Sequence, residues 1–283
     1  MTDTGSAKAW LLLIPVAALY AATFVVPIGI VFGLSTSTFD AGVVTSGFSL
    51  ENYQQALSDD TSIATLGRTL RIAAIVTLAA AALGYPVALQ MRRSGPVLRT
   101  ILIALVVAPL LTSVIVRNVA WILILGRNGL INSALIGSGL IASPLPLMYN
   151  DAGVIVATLH VYLTFLVLPL YASLQAIDPR VEESAASLGA SPLAVFWRIT
   201  FPLSVPGLVA GASLVFILTM GLYLTPTIMG GSFVVTVSML ITELARNQYN
   251  WPAASALSII LLATMGLTLL AAFATRKWMK LQH

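Results

Sequence analysis

Six runs of about 20 residues, each almost free of charge, dominate this chain and leave it few ways to fold. They are Trp10–Phe32, Ile72–Met91, Ile101–Leu125, Ala152–Leu174, Val205–Ile228 and Ala253–Phe273. Each is long enough to cross the hydrocarbon of a bilayer as a helix. No water is available there, so every backbone N–H and C=O must be satisfied within the protein, and an isolated apolar run must therefore be helical. Charged residues make up only 8% of the chain, against roughly 25% in a soluble domain. The first run is too long for the apolar region of a signal peptide and only Lys8 precedes it, so it reads as a retained span. The expectation is an all-α integral membrane protein with six transmembrane helices in a single domain, 1–283. Prolines within or beside the runs, such as Pro86, Pro109 and Pro169, are tolerated where neighbouring helices satisfy the freed carbonyls.

Composition removes several kinds of chemistry. There is no cysteine, so neither disulfides nor thiolate metal sites can form. His160 and His283 are too few and too far apart to suggest zinc. Lys8, Lys277 and Lys280 are the only lysines, and none follows a glycine-rich, phosphate-cradling loop. Any ATP hydrolysis would thus belong to another subunit, and no His, Asp and Ser constellation suggests an enzyme. No carboxylate lies at the middle of a run, which argues against a carrier driven alone by protons or ions. The net charge of +4 reads as topology and lipid contact, not nucleic-acid binding.

The basic residues set an orientation. With the N-terminus inside, Lys8, Arg92, Arg93, Arg99, Arg180, Arg198, Arg276, Lys277 and Lys280 are cytoplasmic, and Arg68, Arg71, Arg117, Arg127 and Arg246 are external. The inward excess favours N-in and C-in. Outside, residues 35–62 carry Asp40, Glu51, Asp59 and Asp60 without a Lys or Arg, and 49–57 reads as a short capped helix. The Gly-, Ser- and Pro-rich stretch 127–147 reads as a loop with one short helix, and Val237, Leu240, Ile241 and Leu244 mark an amphipathic helix.

The cytoplasmic stretch 178–202, DPRVEESAASLGASPLAVFWRITFP, is the longest polar interruption in the second half. Asp178 then Pro179 is an N-cap followed by a first-turn proline, and Ser191 then Pro192 repeats that signal. Val181, Ala185 and Leu188 form one apolar face, Gly189 suits a left-handed helix stop, and Pro202 reads as the end of the second helix.

These residues carry a family resemblance. Glu183, Ala185, Gly189, Ile199 and Pro202 fall on the cytoplasmic motif E-A-A, three residues, G, nine residues, I, one residue, L-P of permease subunits of bacterial ABC importers, with Ser184 and Phe201 departing from it. The order of other features is similar to the spermidine/putrescine-type subgroup. These are the NYQQAL segment, RNGLIN from Arg127, LPLY from Leu168 and GLYLTPTIMGG from Gly221.

The resemblance implies a type I importer permease fold in a bacterial inner membrane, with a cytoplasmic coupling helix. It implies a second permease subunit, two cytoplasmic ATPase subunits that bind the ATP, and a periplasmic solute-binding protein. It also implies that Glu183, Ala185, Ala186, Gly189, Ile199 and Pro202 couple the permease to the ATPase, and that the solute is a polyamine. The alternatives are a small organic anion, such as a phosphonate or carboxylate, or a transporter working alone.

Candidate residues for a solute path are Arg117, His160, Tyr223, Thr227 and Glu243. Arg117 is the most basic intrusion into a span, and reads either as a path residue or as a side chain snorkelling to the interface. His160 reads as a hydrogen-bonded helix contact or a path residue, and Trp121 as an interfacial anchor. Glu243 and Arg246 are spaced as a local ion pair. Reporter fusions check the topology: a fusion after Lys280 should read cytoplasmic and one at Asp59 external, and a cytoplasmic signal at Asp59 would reverse the orientation.

Overall fold

The computed structural model describes residues 13–40, 42–45 and 47–280, with 272–280 as backbone alone. Lys8, the first residues of the first expected span and His283 lie outside them. Among the described residues, six helices have the length and composition to cross a membrane: Leu13–Ser35 (α1), Asp60–Arg93 (α3), Val114–Gly137, Asp151–Gln175 (α7), Pro192–Met220 (α9) and Trp251–Ala271. The last belongs to Trp251–Lys280 (α11). Shorter elements are the hairpin Thr38–Asp40 (β1) and Val43–Thr45 (β2), and the helices Glu51–Ser58 (α2), Pro96–Val107 (α4), Pro179–Ser187 (α8) and Val237–Arg246 (α10). The third membrane run consists of Val114–Leu125 (α5) and Leu130–Gly137 (α6). Contacts divide the chain into two compact units: residues up to Ile63 with Leu240–Ala263, and Ala64–Met239 with the remainder of α11.

In the larger unit α7 is the central helix. Val154, Ala157, Leu166, Val167, Leu170 and Leu174 on it are buried. Lipid tails are as apolar as leucine, so burial alone does not draw helices together in a bilayer. Close packing of small residues does. Gly207 and Gly211 on α9 supply it. A Cβ at Gly207 would lie 2.3 Å from Ser173 Cβ and 2.7 Å from Pro169 O, and one at Gly211 would lie 2.9 Å from Leu166 Cα. Gly84 of α3 meets the same Leu166, at 2.6 Å from Cδ2. Two helices thus converge on a short stretch of α7.

Two spans depart from the sequence reading. The single helix expected over 101–125 is broken. After α4 comes a 3-10 turn, Ala108–Leu111. Thr112 is then extended (φ −101°, ψ 144°), and α5 begins only at Val114. Pro109 explains the break, since it lacks an N–H and its ring crowds the preceding turn. The freed backbone is satisfied by side chains: Arg117 donates to Thr112 O at 2.8 Å and Thr164 donates to Val106 O.

The fifth span, expected over 205–228, starts earlier, and Pro202 does not stop the preceding helix. A π-helical turn at Phe196–Thr200 comes just before it, in which the Phe201 N–H reaches back to Phe196 O. This wider turn shifts the hydrogen-bond ladder and gives the proline ring room. The span ends at Met220, and Pro226–Gly230 forms a separate π-helical turn.

In the smaller unit α2 is fastened to the end of α1. Asn52 Nδ2 donates to Ser35 O at 3.1 Å and to Ser37 O at 2.7 Å, and the Tyr53 and Ser35 hydroxyls are 2.6 Å apart. The apolar window of α1 is 0% buried within the chain. The hairpin is the one departure from an all-α description among the described residues, with Thr38 opposite Thr45.

The glycine seam yields a test. Gly207→Ala must displace backbone, and should lower the stability of the purified protein by about 1–3 kcal/mol, the usual cost of overpacking. Gly67→Ala, with nothing within 4 Å, should be neutral or stabilising because alanine is the better helix former. Thermal unfolding in lipid nanodiscs would read both, and equal behaviour of the two variants would remove the seam's special role.

Candidate functional site

The cytoplasmic loop forms as the sequence predicts locally. Asp178 accepts from the Arg180 N–H at 3.0 Å and Pro179 takes the first helical position of α8. The helix ends in a Schellman motif: the Gly189 N–H meets Ala186 O at 2.9 Å and the Ala190 N–H meets Ala185 O at 3.1 Å. That requires φ of +87° at Gly189, a left-handed value costly for any side chain with a Cβ. Ser191 then caps the next helix through Ala194 N at 3.3 Å.

Which face of α8 points where is decided by Glu182, a residue that the motif does not single out. Its carboxylate receives Arg92 Nη1 at 2.7 Å and Thr200 Oγ1 at 2.5 Å. Arg92 also donates to Ile177 O at 3.3 Å. One carboxylate and one guanidinium thereby join the ends of α3 and α7, the helix α8 and the start of α9. Burial pushes the Glu182 carboxyl up, but the hydrogen bonds from Arg92 and Thr200, with the charges of Arg92 and Arg93, outweigh it and hold it below the ordinary 4.5. Turning Glu182 inward leaves Glu183 and Ala186 exposed, with Ala185 partly covered. Leu188 is 89% exposed, and Leu193 and Trp197 are exposed too. Ile199 and Pro202 are half-buried.

A second feature lies at the break in the third span. Leu110, Thr112, Arg117, Thr158, Tyr162 and Thr225 are among the residues lining a cavity of about 260 Å³. Arg117 Nε also approaches Thr112 Oγ1, at 3.3 Å. Thr158 is 2% exposed, and its hydroxyl finds no hydrogen-bond partner among the described residues. Thr225 is buried and accepts a long contact of 3.5 Å from Asn118 Nδ2. This wall is rich in donors and has no carboxylate.

The path residues expected from sequence do not all meet there. Arg117 lines the cavity. Tyr223 and Thr227 do not, being exposed and joined by a Thr227 hydroxyl to Tyr223 carbonyl bond of 2.7 Å. His160 makes a helix contact of a different kind from the hydrogen bond expected: its ring meets Trp121 edge-on with centroids 5.6 Å apart, so Trp121 packs between helices. Glu243 accepts from Asn247 and is not paired with Arg246. Thr158 and Thr225 could not be found from the sequence, because a threonine in a span is as often bonded to its own helix backbone as turned to a cavity.

The Glu182 node is testable by pH and by substitution. A depressed folded pKa means the stabilisation is complete above the ordinary carboxylate value and is lost as pH falls through the lowered one. The protection of amides in 179–187, measured against their intrinsic exchange rates, should therefore fall in acid, starting below about pH 4.5, and Glu182→Gln should show the lost protection already at neutral pH. Removing the charge leaves Arg92 without its partner, at a cost of about 1–3 kcal/mol. Exchange in Glu182→Gln identical to the parent at neutral pH would show that the node does not hold the helix.

Comparison with known proteins gives the same architecture a family. Residues 78–280 match the family described as binding-protein-dependent transport system inner membrane component. The spermidine/putrescine transport system permease protein PotB of Escherichia coli (strain K12) is 36% identical over 231 residues, covering 82% of this chain and 84% of that protein. The molybdenum transport system permease protein ModB of Mycobacterium bovis is 32% identical over 203 residues, 71% of this chain and 75% of that one. Among solved structures, a bacterial alginate ABC transporter in complex with alginate pentasaccharide-bound periplasmic protein aligns with TM-score 0.78 at 16% identity, covering 96% of this chain and 95% of the other. The chain belongs to the family of binding-protein-dependent transport system inner membrane components, as a multi-pass, non-catalytic permease subunit.

Proposed function

We propose that this chain is the permease of an ATP-driven importer of small aliphatic polyamines, and that α8 is where it meets the ATPase. The observation that carries the solute class is the 36% identity to PotB over 82% of the chain. The observation that carries the coupling role is a short helix with an exposed outer face, tied by Glu182 and Arg92 to three span ends. Glu183, Ala186 and Leu188 present that face to a docking groove. Ala185 permits close packing, and Gly189 shapes the turn. Ile199 and Pro202 lie in the first half of α9, which carries the motion into the membrane.

Closing and opening of two ATPase subunits would then push α8. The node would pass that push to α3, α7 and α9 together, because all three end there. A partner permease, homologous or identical, completes the path, and a periplasmic binding protein delivers solute. ATP is bound by the partner ATPases. Alternation of this kind requires each state to make its own contacts, so ATP must favour one of them by differential interaction.

A second reading has one observation in its favour. The cavity walled by Arg117, Thr158 and Thr225 offers donors and no acid, which suits a small organic anion. Uptake separates the two. Proteoliposomes containing the complete transporter should accumulate labelled spermidine or putrescine on addition of ATP. Arg117→Gln should leave that uptake near the parent level or above it, whereas an anion carrier would lose a charge-assisted contact and most of its uptake. Glu183→Ala with Gly189→Pro should abolish uptake and break its link to ATP hydrolysis. Coupled transport unchanged by that pair would refute the docking role of α8.

A further inference from the structure

The smaller unit contains a groove that none of the roles above uses. Asn52, Gln55, Asp59, Ser62, Gln248 and Leu257 are among the residues lining a cavity of about 290 Å³. A second cavity of about 70 Å³, with Phe39 and Glu51 in its wall, shares Asn52, Gln55 and Asn250 with the first. The two therefore form one groove along α2. Leu240, Leu244, Ala253 and Leu257 make its apolar wall.

The polar side of the groove is built from acceptors. Asn52 is 7% exposed and its Nδ2 is held by Ser35 O and Ser37 O, which leaves Oδ1 of the same planar amide on the opposite side, in the residue that both cavities share. Asp59 takes the Ser62 N–H on Oδ2 at 2.8 Å and stands exposed in the wall of the larger cavity. That backbone bond also holds its carboxyl below the ordinary value, so it is charged at neutral pH. Glu51 stands at the other end of α2, eight residues away. At helical rise that separation is about 12 Å. Among the described residues of this unit the acids are Asp40, Glu51, Asp59, Asp60 and Glu243, against one base, Arg246.

An elongated groove with an anion at each end, amide oxygens between them and an aliphatic wall fits a linear alkylamine with an ammonium at each end. We infer that this groove is an outer receiving site for polyamines, with Asp59 holding one terminal ammonium, Glu51 the other, and Asn52 and Gln55 oxygens facing the chain between them. Phe39 adds an aromatic surface for the ammonium beside Glu51. The inference rests on the polyamine reading and adds to it a site on the side of the membrane where the binding protein releases its load.

The test is binding of labelled spermidine and putrescine to the complete nucleotide-free transporter in nanodiscs, with uptake by the same complex in proteoliposomes. Asp59→Asn removes the charge but keeps a residue that caps α3 well, so the fold is retained. Asp59→Asn with Glu51→Gln should weaken spermidine binding about tenfold, roughly 1.4 kcal/mol. Glu51→Gln alone should hurt the longer triamine more than the diamine, which cannot span both acids. Asp40→Asn, in the hairpin and outside both cavities, should bind as the parent does. If Asp40→Asn weakens binding as much as Asp59→Asn, the effect is a general surface field, and the site is overturned. A parent complex that transports polyamine while the double variant binds it normally overturns the site alone. A parent complex that takes up no polyamine ends the polyamine reading as well.

Discussion

The contact between α7 and α9 is the constraint on which the larger unit depends. Inside a bilayer nothing is gained by moving leucine from lipid to protein, so helices hold together only where they pack better than lipid does. Gly207 and Gly211 bring the α9 backbone onto Pro169, Ser173 and Leu166, and Gly84 brings α3 onto Leu166 as well. The buried residues of α7 are consequently spread around the helix instead of along one stripe. This is the pattern of a helix surrounded by protein, and any rotation that moved α9 would carry α7 with it.

The spans of that seam also meet at the Glu182 node. Arg92 lies in the last turn of α3, Ile177 follows α7 and Thr200 lies in the first half of α9, and Glu182 on α8 faces Arg92 and Thr200. The pair is only partly exposed, with side-chain values of 12% for Arg92 and 24% for Glu182. Truncating one partner would leave the other short of hydrogen bonds in a sheltered place, which is costlier than losing a surface ion pair. A push on the exposed face of α8 would reach three spans through two side chains. The π-helical turn at Phe196–Thr200 sits in that line and lets α9 run unbroken from the loop into the membrane.

Around the break before α5, polar side chains replace missing backbone bonds. Arg117 occupies the carbonyl freed at Thr112, so its charge has a structural use beside any contact with solute. Thr158 has no such use: its hydroxyl lies in the cavity wall without a hydrogen-bond partner among the described residues.

The chain by itself determined its membrane class, the number of its spans and the caps of its loop helices. Those follow from local rules: apolar length, the caps Asp178 and Ser191, and the left-handed Gly189. A local rule misled where tertiary contacts could supply what the local chain lacked. Pro202 reads as a stop, yet a π-helical turn accommodates it. The run 101–125 reads as one helix, yet Pro109 breaks it because Arg117 and Thr164 are placed to take the freed carbonyls. Only the tertiary structure decided between Glu182 and Glu183. They are adjacent and chemically alike, and what separates them is the distance to an arginine ninety positions away. The same holds for Thr158, Thr225 and the groove along α2, whose residues come together from segments far apart in the chain, and no spacing within one segment encodes which side chains of another will face it.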